Sequence, residues 1–158
     1  MSENAAGIAW VASEAPGRSS SAYPEALAAR VAGRFKRPLG ELFGIESFGV
    51  NLTTLEPGAQ SALKHRHKVQ DEFVYVLSGE LVLAHDGGES VLTAGMCAGF
   101  RHGGSAHHLV NRSAAAAIYL EIGDRQPGDA AEYPDDDLVA ARSGDRWLFT
   151  HKNGDPYE

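Results

Sequence analysis

From Glu41 onward, apolar and polar residues alternate with a period of two. Phe48, Val50 and Leu52 alternate with Gly49, Asn51 and Thr53, predicting a half-buried strand that ends at the Glu56-Pro57-Gly58 turn. Phe73 to Leu77 and Leu81 to His85 predict two further strands joined tightly through Ser78-Gly79-Glu80. Asp86-Gly87-Gly88 is a hairpin signal that returns the chain into a strand over Ser90 to Thr93. Ala94-Gly95 breaks the chain again, and strands follow over Ala106 to Asn111 and Ala115 to Ile122. Arg146 to Thr150 has the aromatic content of a closing strand. Short strands at intervals of about ten residues, with turn signals between, indicate a sandwich or small barrel.

The first forty residues read differently. Ser19-Ser20-Ser21 leads into Tyr23-Pro24-Glu25, and Ala26 to Ala32 is rich in helix formers closed by Gly33. Proline suits a first helical turn and glycine a C-terminal stop, so one short helix is expected there. Asp124 to Asp137 reads as a loop rich in Pro, Gly and Asp, and Asn153-Gly154 as a turn near the end. The expected organisation is an arm with a short helix over residues 1–40 and a barrel core over 41–123. A loop and C-terminal strand over 124–158 complete the same domain.

Composition narrows the class. A chain of 158 residues has room for one ordinary domain, and 43% hydrophobic with 22% charged residues is globular. Eighteen glycines favour many tight turns and hence an all-β chain. The net charge of −7 disfavours nucleic acid and anionic membranes as partners. A single cysteine, Cys97, excludes an intrachain disulfide framework and any CxxC zinc knuckle. Its apolar neighbours make it a small core residue. Met1 to Ser21 has no basic stretch followed by an apolar run, and Ala114 to Leu120 is far too short to span a bilayer. A cytoplasmic protein is expected, with the Asn51-Leu52-Thr53 and Asn111-Arg112-Ser113 sequons as chance matches.

The histidines carry the chemistry. His65, His67, His85, His102, His107 and His108 crowd one stretch and leave only His151 outside. His65-Arg66-His67 on a strand would aim both imidazoles at one point while Arg66 faces away. Imidazole nitrogens bind divalent first-row metals well. A pair of solvent-facing histidines at a strand end is the alternative. Glu72 follows His67 at an odd offset, so residues 68–71 must turn or bulge before its carboxylate can join the same site. A fourth ligand could come from His107 or His108, only one of which can face inward.

Gly58, His65-x-His67, Glu72 and Gly79, in that order and spacing, resemble the first motif of the cupin superfamily. Gly95, Gly103 and His107-x-x-x-Asn111 resemble the second, including its place after the first. Arg101 stands where that motif usually has proline, and one extra residue separates Gly103 from His107. The resemblance implies an antiparallel jelly-roll barrel with a short N-terminal helix and extended terminal arms. It also implies that His65, His67, Glu72 and His107 ligate one divalent transition metal (zinc, iron, manganese, nickel or copper). It extends to stand-alone bacterial cupins, some considered sugar-phosphate isomerases, and implies a homodimer.

The expected function is therefore a metal-binding cupin, an enzyme on a small oxygen-rich substrate, with sugar or sugar-phosphate isomerisation first. A cupin dioxygenase or decarboxylase using iron or manganese, and a non-catalytic small-molecule sensor, are the alternatives. No catalytic base is assigned, although Glu121 and Tyr119 qualify if they point inward. Tyr75 on its strand has packing or a surface position as its default. His85 reads as a turn residue, Arg101 and His102 as an exposed loop pair, and Asp135-Asp136-Asp137 as a solvated loop. Trp147 and Phe149 are expected to cover one end of the core or an oligomer interface.

Overall fold

Twelve strands organise residues 7–157, the part of the chain that the computed structural model describes. They are β1 (Arg34–Pro38), β2 (Phe48–Leu55), β3 (Arg66–His67), β4 (Glu72–Ser78), β5 (Glu80–His85) and β6 (Gly88–Thr93). They continue as β7 (Cys97–Phe100), β8 (His107–Val110), β9 (Ala117–Asp124), β10 (Ala130–Glu132), β11 (Val139–Ser143) and β12 (Arg146–Thr150). One layer is the five-stranded sheet β1-β2-β9-β4-β7. The other joins β12-β11-β10-β3 to β6-β5-β8 through the bridges His65↔His107 and Gln60↔Val110. All pairings are antiparallel, giving an all-β jelly-roll sandwich.

Two apolar clusters fill the space between the layers. The larger sets Leu55, Val74, Val76, Ala117 and Tyr119 of the five-stranded sheet against Leu81, Leu83, Leu92 and Leu109 of the facing layer. The smaller gathers Leu63, Ala131, Tyr133, Leu138 and Ala140, with Tyr23, Leu27, Trp147 and Phe149 packed on it. Gly79 shows how tightly the hairpin is set. It adopts φ +80°, and a Cβ there would lie 2.8 Å from the Cα of Ala117. Any other residue would force β4 away from β9.

The short helix α1 runs Glu25–Ala28, followed by a 3₁₀ turn Ala29–Val31, with Pro24 as its N-cap and Gly33 turning the chain beyond it at φ +82°. Further 3₁₀ turns occur at Ala12–Glu14 and Leu39–Phe43. The stretch read as an arm also supplies β1, paired along its length with β2. Strands β3, β7 and β11 were not expected, and β10 lies inside the segment read as a loop. It is short and flanked by Pro, Gly and Asp, so only its pairing with β11 and β3 makes it a strand.

One side-chain reading is settled and another corrected. Phe48, Val50 and Leu52 lie on the outer face of the sheet, and Asn51, Thr53 and Leu55 face inward. The outer face is itself apolar: Phe48 and Phe73 are 40% exposed, Tyr75 38% and Leu77 45%. Cys97 is exposed rather than core, because its partner Tyr75 is on the same outer face.

Candidate metal centre

His65 immediately precedes β3 and His67 ends it in one layer, and Glu72 opens β4 in the other. Residues 68–71 therefore carry the chain across the sandwich, and the odd spacing between His67 and Glu72 no longer sets them on opposite faces. The crossing is held by Asp129, whose Oδ1 accepts from the backbone N–H of Val69 at 3.0 Å and of Gln70 at 3.2 Å. His107 enters from β8, bridged to His65 through two backbone hydrogen bonds of 2.8 and 3.2 Å.

The Nε2 atoms of His65, His67 and His107 lie 3.5, 3.4 and 2.9 Å from the Glu72 carboxylate. The ligand atoms of His65, His67 and Glu72 all fall within 4.8 Å of one another, a group able to hold a metal ion. His107 reaches the same carboxylate despite Arg101 and the longer second motif. His108 turns to the opposite face, its Nδ1 2.9 Å from the Ala62 carbonyl.

The second nitrogen of each ring is also held. His65 Nδ1 lies 2.8 Å from Leu63 O, His107 Nδ1 3.1 Å from Ser105 O, and His67 Nδ1 2.5 Å from Asp129 Oδ2. Carbonyl and carboxylate oxygens only accept, so each Nδ1 carries a proton, and each inward Nε2 is left to offer a lone pair to a metal ion or to take up a second proton toward Glu72. Three lone pairs aimed at one carboxylate repel unless a cation lies among them. The donor set therefore fits a metal ion, with a proton as the substitute. Burial works against a charged His67, yet Glu72 and Asp129 outweigh it and raise its pKa to about 9. Burial likewise opposes ionised Glu72, but hydrogen bonds from His107, His65 and His67 hold its pKa well below the usual value.

The cluster sits at the seam between the two apolar clusters. His107 stacks on Phe100 with ring centroids 3.5 Å apart, and His65 and His67 approach Tyr133 and Trp147 at 5.8 and 6.0 Å. Beside it opens a cavity of about 710 Å³. Glu121 and Tyr119 of β9 both face inward along its wall. Glu121 Oε1 forms an ion pair with Lys36 Nζ at 2.5 Å and accepts from Asn51 Nδ2 at 3.1 Å, while Oε2 accepts from the Tyr119 hydroxyl at 3.3 Å. Complete burial and the Glu121 charge push the Tyr119 phenol well above its ordinary pKa, so it stays a proton donor.

Other sequence candidates lie outside. His85 accepts from Gly87 N at its turn, and His102 is an exposed partner of Asp71 at 2.7 Å. Asp136 and Asp137 pair with Arg30 and His151 at the surface, and Tyr75 faces out. Trp147 and Phe149 pack on the smaller cluster and line the cavity. Asp129 was not singled out from sequence. It is 62 residues from His67, and nothing in the local pattern of its loop marks it.

Two facing antiparallel sheets with a His-His-Glu group between them define a cupin. The Cupin domain family matches residues 51–123. A Silicibacter pomeroyi structure named as a sugar phosphate isomerase from a cupin superfamily is 42% identical. It superposes with TM-score 0.87 over 92% of this chain and 94% of its own. An Acidithiobacillus ferrooxidans structure, named as a candidate sugar phosphate isomerase, is 28% identical with TM-score 0.74 over 80% and 81% of the two chains. A Thermus thermophilus protein is 30% identical with TM-score 0.52 over 63% and 94%. No curated protein matches the chain by sequence. The chain belongs to the cupin superfamily. Among the described residues no helix is long and apolar enough to cross a membrane.

Proposed function

We propose that this cupin is a metal-dependent isomerase of a small sugar or sugar phosphate. One observation carries the reading: an inward-facing Nε2/carboxylate cluster and an inward-facing carboxylate, Glu121, border the same cavity. The Silicibacter pomeroyi and Acidithiobacillus ferrooxidans structures, as named, support the substrate class. His65, His67, Glu72 and His107 would hold one divalent transition metal, which when bound acts as a Lewis acid on a carbonyl or hydroxyl oxygen.

The remaining work is a proton shift between adjacent carbons of the substrate, matched by a proton shift from the hydroxyl to the former carbonyl oxygen, and it needs no oxidant or reductant. Glu121 is the base in this reading. On β9 it is across from Val74, two residues along from Glu72, so both carboxylates stand on one sheet face as diagonal neighbours. Lys36 and Asn51 engage Oε1, and Oε2, with only the Tyr119 hydroxyl upon it, takes the proton and returns it to the neighbouring carbon. Tyr119, held protonated, orients that oxygen. Trp147, Phe149 and Tyr133 wall the cavity and limit water.

Incubating natively purified protein with aldose and ketose phosphates in deuterated water tests the reading. Interconversion with solvent deuterium entering the shifted carbon is expected. Oxygen consumption without interconversion would favour the dioxygenase alternative, and tight binding without turnover the sensor. A homodimer belongs to the same proposal, its interface the exposed outer face bearing Phe48, Phe73, Tyr75 and Leu77.

A further inference from the structure

The register of β4, β9 and β2 runs one row beyond the sheet at the cavity rim. Glu72 is paired with Gly123, and Gly123 with Gly49. Past them, Asp124 N donates to Asp71 O at 3.4 Å and Arg125 N to Ser47 O at 3.1 Å. Asp71, Asp124 and Phe48 form the next row, and Gln70, Arg125 and Ser47 follow just past the strand ends. Neither residue lies on a strand, yet both line the cavity wall, Gln70 from the crossing that leads into β4 and Arg125 from just beyond β9.

Two features of this rim have no packing explanation. Gly49 and Gly123 lie side by side facing inward, yet neither has the left-handed backbone that calls for glycine. A Cβ at either would find ordinary contacts, so what glycine leaves open is room that a larger side chain would take. A Cβ on Gly49 would meet the Arg125 guanidinium at 3.5 Å, and one on Gly123 would meet Glu72 Cγ at 3.9 Å. The second feature is an excess of donors. Gln70 is only 7% exposed, and its Nε2 is buried without a hydrogen-bond partner. Among the described residues, hydrogen bonds engage the backbone N–H of Arg125 and leave its guanidinium free.

We infer that the Arg125 guanidinium and Gln70 Nε2 form an oxyanion subsite over the Gly49–Gly123 floor, just past the ends of β4 and β9, which takes the substrate's phosphate. A planar guanidinium grips a tetrahedral oxyanion through two parallel N–H groups, and a buried amide donor supplies a third. The bare glycine floor admits the bulk of the group. A terminal phosphate held here leaves the rest of a short sugar chain running along the wall toward Glu72 and Glu121. The assignment of the phosphate to a sugar rests on the isomerase reading; the subsite itself does not.

Titrating the natively purified protein with inorganic phosphate by calorimetry tests the subsite without turnover, with malonate in parallel to compare a carboxylate oxyanion. Binding of phosphate is expected, weakened roughly tenfold or more by Arg125→Gln, partly restored in Arg125→Lys, and lost when Gly49→Val fills the floor. Malonate binding that responds to Arg125 as strongly would widen the ligand to oxyanions in general and still support the subsite. Phosphate binding unchanged in Arg125→Gln, or absent from the native protein at millimolar concentration, overturns it. Failure of the isomerase reading leaves these titrations unaltered. Conversely, sugar-phosphate turnover whose KM ignores Arg125→Gln sinks the subsite and spares the isomerase.

Discussion

His67 Nδ1 and Asp129 Oδ2 lie 2.5 Å apart, and through that contact a loop remote in sequence sets the tautomer of an inward-facing imidazole. Asp129 is 1% exposed, and its other oxygen takes the N–H groups of Val69 and Gln70. One carboxylate thus fixes the ring and the turn that carries Glu72 across the sandwich. An aspartate spent entirely on internal donors orients the His67 ring without ligating anything.

Asp129→Asn should keep the fold and weaken metal retention by roughly 10–100-fold, the usual cost of losing a carboxylate behind a metal-bound histidine. Competition against a chelator of known affinity measures this directly. Retention equal to the parent protein would show that the contact serves the turn alone.

His67→Ala removes one of the converging Nε2 atoms and should abolish both bound metal and turnover. Elemental analysis beside the isomerase assay decides it. Full activity in protein stripped of metal would end the metal-dependent reading.

Glu121→Gln removes the proposed base while keeping an acceptor for Lys36 and Asn51. The expected result is a fall in kcat of roughly 10²–10⁴-fold, as for loss of a general base, with metal content and KM little changed. A matching loss of metal would instead place Glu121 among the structural supports of the cluster. Unchanged kcat would remove it from the chemistry.

The sequence motifs located the cluster well, because each depends on short spacings that strand geometry translates directly. His65-x-His67 shares a face by alternation, and His107 rather than His108 turns inward for the same reason. The odd step to Glu72 was legible as a need for irregular backbone. Its solution, a crossing between layers, depends on Asp129 and is written nowhere in residues 65–72. Alternation marks β2 as half-buried but does not say which of its two faces is the inner one. Here the inward positions Asn51 and Thr53 face the interior beside a polar cavity wall, and the apolar alternates face outward. The same inversion misplaced Cys97. Gln70 and Arg125 carry no motif at all, and only the folded chain sets both on the wall of one cavity.

Asn111 closes the second motif and is completely buried. Its Nδ2 donates to Leu55 O at 2.9 Å and Ala115 O at 2.8 Å, and its Oδ1 accepts from Ser113 N at 3.0 Å. It thereby ties the end of β2 to the loop before β9. Asn111→Ala would leave Leu55 O without that donor in the interior, costing about 1–3 kcal/mol. Thermal or denaturant unfolding should show this destabilisation with metal affinity changed far less. A shift within experimental scatter would mean that the loop rearranges freely.

On the outer face of the five-stranded sheet, register puts Phe73 beside Ile122, and Tyr75 beside Leu120 and then Leu52. Exposed Phe73 and Tyr75 therefore adjoin the half-buried Ile122 and Leu120 and the buried Leu52 in one apolar surface. Monomeric proteins rarely leave such a contiguous apolar face open. A second copy of the chain offers the same face, and a two-fold interface is self-complementary by construction. Light scattering at micromolar concentration should therefore give twice the chain mass. A charge introduced by Leu77→Lys, at a position already 45% exposed, should cost the isolated fold little while setting two like charges near each other in the dimer. The expected result is a shift toward the monomer with secondary structure retained. A parent protein that is already monomeric at that concentration removes the dimer and leaves the apolar face to some other partner.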